Sequence, residues 1–241
     1  MWRGASIPRS HLHPQASVAY VQGMARSLSQ LILGSRSPRR LELLRQIVPA
    51  ERIEVLPPRA AEEAGFENLH DWAAIEHRLI EVAQTKCDDV LEQAEMRAGK
   101  REFDAVVTAD TIIVVTGAYD RLVVLGQPPD DESWTETVRH WFLDYYASRT
   151  HVAATAFCVA AAQGAKAARV VKSNVTFHAE TERWLAWYLA TEEPRGKAGG
   201  YALQGAGGIF VSAVEGSLSN VIGLPLWDLF DVFQELGIDV G

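Results

Sequence analysis

Residues 105–115 read Ala-Val-Val-Thr-Ala-Asp-Thr-Ile-Ile-Val-Val, and this run decides the class of fold. Its β-branched and apolar residues, followed by Gly117, predict a buried strand, and Leu122–Leu125 are predicted to pair back on it as a hairpin. Asp110 stands inside the run, where a carboxylate is costly to bury without a cation or hydrogen-bond donors. At a strand end such a residue makes a good general base or metal ligand, and Thr111 beside it offers a hydroxyl to substrate or metal. The alternative for Asp110 is a structural carboxylate that accepts backbone N–H bonds at a bend.

Strands and helices alternate on both sides of this run. Helices are predicted from near Ser37-Pro38, over about Trp72–Met96, from Trp134 onward, over about Thr181–Ala190 and over Leu226–Leu236. Further strands are predicted at Leu31–Leu33, His151–Ala162, Ala168–Phe177 and Ile209–Val214. The third helix follows two candidate capping residues, Asp130 and Asp131, and its stripe of Trp134, Val138, Trp141 and Tyr145 predicts core contacts. This order, with hairpins among the strands, predicts an α/β protein with a mixed sheet.

Composition and charge narrow the classes of function. The chain has 241 residues, 48% hydrophobic and 22% charged, which is ordinary for a globular protein. No apolar run approaches the ~20 residues that a membrane helix needs, so no membrane partner is expected. The net charge of −8 disfavours a general nucleic-acid binder, since it repels the phosphate backbone. Cys87 and Cys158 fit no metal or redox spacing and are expected to be buried thiols in a cytoplasmic protein.

The first 29 residues differ in composition from the rest. No Asp or Glu occurs before Glu42, and Met24 lies shortly before the first predicted strand. We expect residues 1–29 to be a disordered tail or the product of an over-extended start codon, and residues 30–241 to form the functional domain. A transit peptide is the alternative, although residues 1–23 have no clear amphipathic period.

A basic turn follows the first strand. Ser35, Ser37, Arg39 and Arg40 stand at the start of a helix, where two arginines oppose the helix dipole at ~0.3–1 kcal/mol each. An anion bound there would reverse this penalty, because hydroxyls, guanidiniums and free N–H groups would converge on it. The alternative is a solvated basic turn.

A glycine-rich segment, residues 194–208, lets backbone amides approach a ligand closely, and Lys197 adds a positive charge to it. Because the segment precedes a strand, it does not match the dinucleotide-binding pattern, and the chain has no GxxxxGK[ST] phosphate loop. Glu62 and Glu63 lie in a predicted loop and could hold Mg²⁺, although acidic pairs in loops are usually only solvated.

Five motifs in this order resemble the Maf family of nucleoside triphosphate pyrophosphatases. They are Leu33-Gly34-Ser35-Arg36-Ser37-Pro38-Arg39-Arg40, Ala109-Asp110-Thr111, Ser148-Arg149-Thr150-His151, the run 196–205 (GKAGGYALQG) and the run 215–226 (EGSLSNVIGLPL). The resemblance covers about residues 30–240. It implies a two-lobed Maf/ITPase-like fold with an elongated mixed sheet, a divalent cation (Mg²⁺ or Mn²⁺), and hydrolysis of a nucleoside triphosphate to monophosphate and pyrophosphate.

The resemblance also implies roles for single residues. Asp110 matches the family's proposed general base; Arg39, Thr111 and Gln204 match positions tied to substrate choice; Glu63, Lys86 and Lys197 match polar positions of the site, with Glu63 and Asp110 as metal ligands. One departure is Gln127, in Gly126-Gln127-Pro128, where the family usually has lysine.

The forms of the last two motifs are similar to the subgroup that acts on dTTP and UTP. Two alternatives stay open: a nucleotide-binding regulator of cell division with weak or no catalysis, favoured by Gln127, and a methylated-GTP pyrophosphatase, disfavoured by Gln204. A homodimer is compatible with the sequence but is not required by it.

Overall fold

The computed structural model describes residues 30–59, 65–97 and 103–240. The strands are β1 (Gln30–Gly34), β2 (Ile53–Val55), β3 (Phe103–Thr116), β4 (Leu122–Leu125), β5 (Thr150–Ala161), β6 (Lys166–Phe177) and β7 (Val211–Glu215). The helices are α1 (Pro38–Leu44), α2 (Trp72–Met96), α3 (Trp134–His140), α4 (Glu182–Ala190), α5 (Leu218–Ile222) and α6 (Leu226–Glu235). None of the helices in these ranges is long and apolar enough to cross a membrane.

The strands form one mixed sheet, as the sequence predicts. Their order is β2-β1-β3-β5-β6-β7, and β4 pairs with β3 outside this path. β1 lies parallel to β2 and β3, whereas the pairs β3–β4, β3–β5, β5–β6 and β6–β7 are antiparallel. The predicted hairpin of β3 with β4 is therefore confirmed, and β5 and β6 form a second one.

One edge of β3 is open in the middle of the strand. β1 pairs with β3 as far as Gly34 opposite Thr108, and β4 pairs with the same edge from Leu125 opposite Ile113. Within the described ranges, residues 109–112 have no strand partner on this edge, although on the other edge they pair with β5. The sequence suggested that Asp110 lies at a strand end, but it lies in the middle of β3. The strands that end beside it are its neighbours, β1 and β4.

The two faces of the sheet are covered differently. α2 covers one face, packing on even-numbered residues of β3 and β5 such as Val106, Val114 and Ala156. The other face carries two separate apolar clusters. α1 and α6 cover the first, around Val107 and Phe157, while α3 and α4 cover the second, around Ile113 and Val175.

A polar pair separates these two clusters. Thr111 of β3 lies opposite Thr155 of β5 in the sheet register, and their hydroxyl oxygens are 3.0 Å apart. Thr155 is fully buried and donates to the carbonyl of Asn220 at 3.0 Å. The apolar face is interrupted here, and Thr111 faces a cleft at the open edge of β3.

α2 has the predicted bounds. Asp71 caps its N-terminus by accepting the N–H of Ala74 at 2.9 Å. Its buried residues recur at helical spacing and include Ile75, Leu79 and Ala83. Since a rigid helix lies along the sheet, residues on its flank are held at fixed positions beside β3.

Some local predictions were wrong. The residue at the N-cap of α3 is Ser133, not Asp130 or Asp131; Asp131 instead accepts the N–H of Ser133 at 2.9 Å. After α3 the chain forms a π-helical turn over Trp141–Tyr146, which adds a residue to the turn and shifts the inward face by one position. Within this turn Phe142 and Tyr146 are fully buried, whereas Trp141 and Tyr145 are partly buried and pack against the same cluster. The predicted core contacts of Trp134, Val138, Trp141 and Tyr145 are therefore confirmed.

The predicted strand at Ile209–Val214 begins only at Val211, because Ala206–Phe210 form a 3₁₀ turn. Two short elements, β2 and α5, were not predicted. The expectations for residues 1–29, Glu62 and Glu63 lie outside the described residues.

Candidate active site

A cleft of about 700 Å³ opens at the free edge of β3. It takes residues from both faces of the sheet because it wraps around this edge. The predicted site residues that line it are Ser35, Ser37, Arg39, Arg40, Lys86, Asp110, Thr111, Lys197 and Gln204, and Gln127 lines it as well. A second cavity of about 380 Å³, behind the segment 65–70, shares Asp110 and Thr111 with it.

Lys86 and Asp110 form an ion pair in the cleft. Lys86 Nζ lies 2.5 Å from Asp110 Oδ1, and the side chains are only 17% and 8% exposed. The Thr108 hydroxyl donates to the carbonyl of Ala83 at 2.7 Å, which fixes α2 against β3 one turn before Lys86. No backbone N–H within the described ranges donates to Asp110, so this carboxylate is not a bend-stabilising group. Its partner is a cation that faces the same cleft.

Arg40 links three segments of the protein through hydrogen bonds of its guanidinium. Its Nε donates to the carbonyl of Gly223 at 2.9 Å, its Nη2 to Thr111 Oγ1 at 3.0 Å and its Nη1 to Ser35 Oγ at 3.4 Å. These bonds join the turn after β1, the middle of β3 and the end of α5. Arg40 therefore lines the cleft with a guanidinium that already serves three protein acceptors.

Ser35 is buried at the end of β1 and turns the chain into α1. Its Oγ accepts the N–H of Ser37 at 3.1 Å in addition to the Arg40 bond. No acceptor for the Ser35 hydroxyl proton lies among the described residues, so that proton can be donated into the cleft. α1 begins at Pro38, as predicted, and Ser37 makes no side-chain capping bond. With only seven residues, α1 contributes little dipole, and the side chains are what an anion would meet.

Arg39 and Lys197 bring two positive charges together. Burial lowers the pKa of Arg39, and nearby Glu193 and Glu42 offset this only partly. Burial also lowers the pKa of Lys197, and the charge of Arg39 lowers it further, against an opposing effect of Glu193. Lys197 Nζ donates to the carbonyls of Glu193 at 2.8 Å and Arg195 at 3.3 Å. Both cations are partly buried, and Arg39 further disfavours the charge of Lys197, so a bound anion would stabilise the charged forms of both.

The glycine-rich segment is held tightly where it passes β3. Gly199 has φ of +67°, and a Cβ there would lie 2.5 Å from Ile113 Cγ1, so only glycine fits. Its carbonyl accepts the Tyr146 hydroxyl at 2.9 Å, and its N–H donates to the carbonyl of Gly126 at 2.8 Å. The last bond ties the segment to the turn that carries Gln127.

Tyr201, in the cleft wall, and His151, buried behind it, were not singled out from sequence. Tyr201 lines the cleft, and its Oη lies 2.8 Å from Nε2 of buried His151. Burial lowers the pKa of His151 to about 3, so the imidazole is neutral at neutral pH. Both residues lie in motifs that resemble the family, but no local sequence pattern predicts that they pair across 50 positions.

Glu193 was also missed, because Glu192-Glu193 looks like a solvated acidic pair. Its carboxylate instead accepts the N–H groups of Ala206 and Gly207 at 2.7 and 2.9 Å. Gln204 precedes these residues and has an exposed side chain in the cleft.

Asp110 is the buried carboxylate among the described residues of the cleft; Asp130 at the rim is exposed. No group of three or more His, Cys, Asp or Glu residues able to hold a metal occurs within the described ranges. Mg²⁺ commonly binds through one or two carboxylates together with substrate phosphates. Asp110 fits that mode of binding, in which the substrate supplies most of the oxygen ligands. The position of Glu63, the second predicted ligand, lies outside the described residues.

Known proteins resemble this chain over nearly its whole described length. A family model described as "Maf-like protein" matches residues 30–236. A protein of Caldicellulosiruptor bescii named dTTP/UTP pyrophosphatase is 31% identical over 216 residues, which is 88% of this chain and 98% of the relative.

Two further relatives carry the same name. The protein of Anaeromyxobacter sp. is 35% identical over 86% of this chain and 90% of its own length. The protein of Thermococcus kodakarensis is 33% identical over 87% of this chain and 98% of its own length. Among solved structures, the dITP/XTP pyrophosphatase of Mycobacterium abscessus aligns over 62% of this chain and 75% of its own, with 14% identity and a TM-score of 0.36, a likeness too slight to carry an argument.

Proposed function

The chain belongs to the Maf family, and we propose that it hydrolyses a nucleoside triphosphate, dTTP or UTP, to the monophosphate and pyrophosphate. The observation that carries this proposal is the meeting of Arg39, Lys86, Lys197 and Asp110 in one cleft. A protein of net charge −8 repels a polyanion at long range, so it needs such a local cluster of cations to bind one.

Binding of the triphosphate falls to Arg39, Lys197 and the Ser35 hydroxyl. Arg39 and Lys197 are partly desolvated, and Arg39 disfavours the charge of Lys197, so phosphate oxygens bound to both would stabilise the two charged side chains. Charge-assisted hydrogen bonds of this kind contribute about 1.5–3 kcal/mol each. Thr111 and Arg40, which are hydrogen-bonded to each other, line the same cleft.

Asp110 acts on the attacking water. Its Oδ1 is held by Lys86, whereas its other oxygen has no hydrogen-bond partner among the described residues and can accept a proton from water. Lys86 fixes the carboxylate and offers its remaining protons to a phosphate oxygen. The water oxygen attacks the α-phosphorus as its proton passes to Asp110, and the bond between the α-phosphorus and the α,β-bridging oxygen breaks. The products are the nucleoside monophosphate and pyrophosphate.

A divalent cation is part of this proposal. Mg²⁺ or Mn²⁺ bound to the triphosphate would neutralise its charge and lower the pKa of water next to the Asp110 carboxylate. Asp110, and Glu63 as the sequence predicts, would be its protein ligands. Without the cation, the substrate and Asp110 repel each other.

The relatives do not favour the two alternatives that the sequence leaves open. Their names describe hydrolysis of dTTP and UTP, not regulation or a methylated GTP. Gln127 is compatible with activity because Arg39, Lys86 and Lys197 still supply three cations.

The decisive experiment follows the γ-phosphate. UTP or dTTP labelled at the γ-phosphate is incubated with Mg²⁺ and the protein, and the products are separated by anion exchange. We expect the label in pyrophosphate and the unlabelled monophosphate in equal amount. Label in inorganic phosphate with formation of UDP would refute the proposal, and tight UTP binding without turnover would favour the regulator. A parallel panel with CTP, GTP and a methylated GTP tests the substrate.

A further inference from the structure

The carboxylate of Glu193 lies beneath the turn that presents Gln204 to the cleft. It accepts the N–H of Ala206 at 2.7 Å through Oε2 and the N–H of Gly207 at 2.9 Å through Oε1. The Tyr188 hydroxyl donates to Oε1 at 3.1 Å. Three donors converge on one carboxylate, so it is a built contact and not a solvated charge.

The turn is shaped to let this carboxylate approach. A Cβ added to Gly205 would lie 2.3 Å from Glu193 Oε2, so the carboxylate sits directly against the glycine backbone. Burial and the neighbouring charge of Glu193 raise the pKa of Tyr188, which keeps its hydroxyl protonated as a donor. The contact therefore depends on the glutamate, the tyrosine and the glycine together.

Glu193 also reaches the cations of the cleft. Its backbone carbonyl accepts a hydrogen bond from Lys197 Nζ at 2.8 Å, and its charge partly offsets the burial that lowers the pKa values of Lys197 and Arg39. The residue itself lies behind the cleft wall, so its effect on a bound nucleotide passes through the groups it holds.

Gln204 is the side chain at this turn that can form hydrogen bonds with a base. Its side chain is exposed in the cleft and has no hydrogen-bond partner among the described residues. A carboxamide both donates and accepts, so it can pair with N3–H and a carbonyl oxygen of uracil or thymine, and equally with N1–H and O6 of guanine. The position at which the carboxamide is held therefore decides which base it meets. The glycines that follow Gln204 leave its backbone flexible unless the turn is anchored. A flexible side chain distinguishes poorly between bases, because ordering it when the nucleotide binds costs entropy.

We propose that Glu193 is a positioning residue for base selection: its carboxylate anchors the turn at Ala206 and Gly207 and so fixes Gln204 against the pyrimidine. This inference rests on the proposed hydrolysis of dTTP or UTP. Asp110 and Lys86 stand on β3 and α2 and make no hydrogen bond to this turn. Loss of the anchor therefore affects the choice of nucleotide more than the chemical step.

The test compares Glu193→Ala with Glu192→Ala, a matched change at the adjacent, exposed glutamate. kcat and KM are measured for UTP and GTP. We expect Glu193→Ala to lower the ratio of kcat/KM for UTP to that for GTP by about 10-fold or more, while kcat for UTP changes by less than about 3-fold. Glu192→Ala should leave the ratio unchanged. Simple destabilisation would reduce the active fraction for both nucleotides equally and would not move the ratio.

A double-mutant cycle shows whether Glu193 acts through Gln204. Gln204→Ala should lower the same ratio, and Glu193→Ala/Gln204→Ala should lower it no further, because the anchor has nothing left to position. Additive losses would overturn the proposal, as would an unchanged ratio in Glu193→Ala or a wild-type protein without preference for UTP.

Failure of the proposed function is distinguishable from failure of this inference. If the wild type releases no pyrophosphate, hydrolysis is refuted, and calorimetric Kd values for UTP and GTP replace the kinetic ratio. A Kd ratio that falls in Glu193→Ala and not in Glu192→Ala supports the inference. An unchanged Kd ratio, or no nucleotide binding by the wild type, overturns it.

Discussion

Lys86 Nζ and Asp110 Oδ1 lie 2.5 Å apart, although one residue belongs to a helix and the other to the strand beneath it. The pair lies where, among the described residues, this edge of β3 has no strand partner. Because both side chains are largely buried, the carboxylate is held in one orientation before substrate arrives. Preorganisation of this kind is what a group that acts on water requires.

Asp110→Asn should abolish most of the activity without unfolding the protein. The amide keeps the shape of the carboxylate but can neither accept the water proton nor bind a cation as strongly. We expect a loss of ~10²–10⁴ in the rate of pyrophosphate release from UTP. Asp88→Asn, at an exposed carboxylate that pairs with Lys166, is the matched control and should be fully active. Unimpaired turnover in Asp110→Asn would remove this residue from the mechanism.

Gln127→Lys should raise activity. Gln127 lines the cleft at the position where the family usually has lysine, so the variant would add a cation near the triphosphate. We expect kcat/KM to increase by up to ~10-fold, or about 1.4 kcal/mol. In the Asp110→Asn background the same change should have no effect, since added phosphate binding cannot replace activation of water. Equal gains in kcat/KM in the wild-type and Asp110→Asn backgrounds would show that the added cation acts independently of water activation by Asp110, and would contradict this prediction.

The adjacent arginines should respond in opposite ways to replacement by methionine. Arg40→Met removes three hydrogen bonds within the protein and should lower the free energy of unfolding by about 1.5–3 kcal/mol. Arg39→Met removes a desolvated cation and should leave stability within about 0.5 kcal/mol while kcat/KM falls about 10- to 100-fold. Urea unfolding and UTP kinetics on both variants test this. Equal destabilisation by the two changes would be incompatible with these roles.

Activity should require a divalent cation. The described residues supply one buried carboxylate to the cleft, and this carboxylate repels a triphosphate unless a cation bridges them. Pyrophosphate release should stop in excess EDTA and return on addition of Mg²⁺ or Mn²⁺. Full turnover in EDTA would exclude the metal-dependent mechanism.

His151 should make the fold less stable in acid. Its pKa is about 3 in the folded protein, against an ordinary value of about 6.5, so between these pH values the unfolded chain binds a proton that the folded chain does not. Stability from this group is complete above about pH 6.5 and falls as the pH drops towards 3, by at most ~1.4 kcal/mol per pH unit.

Urea unfolding at pH 7, 6 and 5 measures this effect. His151→Gln should show a shallower loss of stability than the wild type, while His178→Gln, at an exposed imidazole, should follow the wild type. Parallel curves for the wild type and His151→Gln would show that the buried imidazole contributes nothing to acid sensitivity.

Local pattern was sufficient for most of the elements. α2 and β4 have the predicted bounds because a long amphipathic period and a short apolar run after a turn are properties of neighbouring residues. The π-helical turn at Trp141–Tyr146 was not predictable, since it depends on how Phe142 and Tyr146 fit against strands far away in the chain. The short strand β2 was missed for a similar reason: three residues carry almost no period.

The sequence by itself determined the mixed α/β fold, the family, and most of the polar groups that line the cleft, because strand runs, helical periods and motif order are all local or linear. Tertiary structure decided what each group does. Arg39 and Arg40 are neighbours in the chain, yet only Arg40 meets Gly223 and Thr111, so one braces the fold and the other is left to face the cleft. Glu193 looks solvated in the sequence and becomes an anchor because folding brings two amide N–H groups to its carboxylate from 13 and 14 positions away. Partners of this kind are fixed by packing in three dimensions, which residue order does not encode locally.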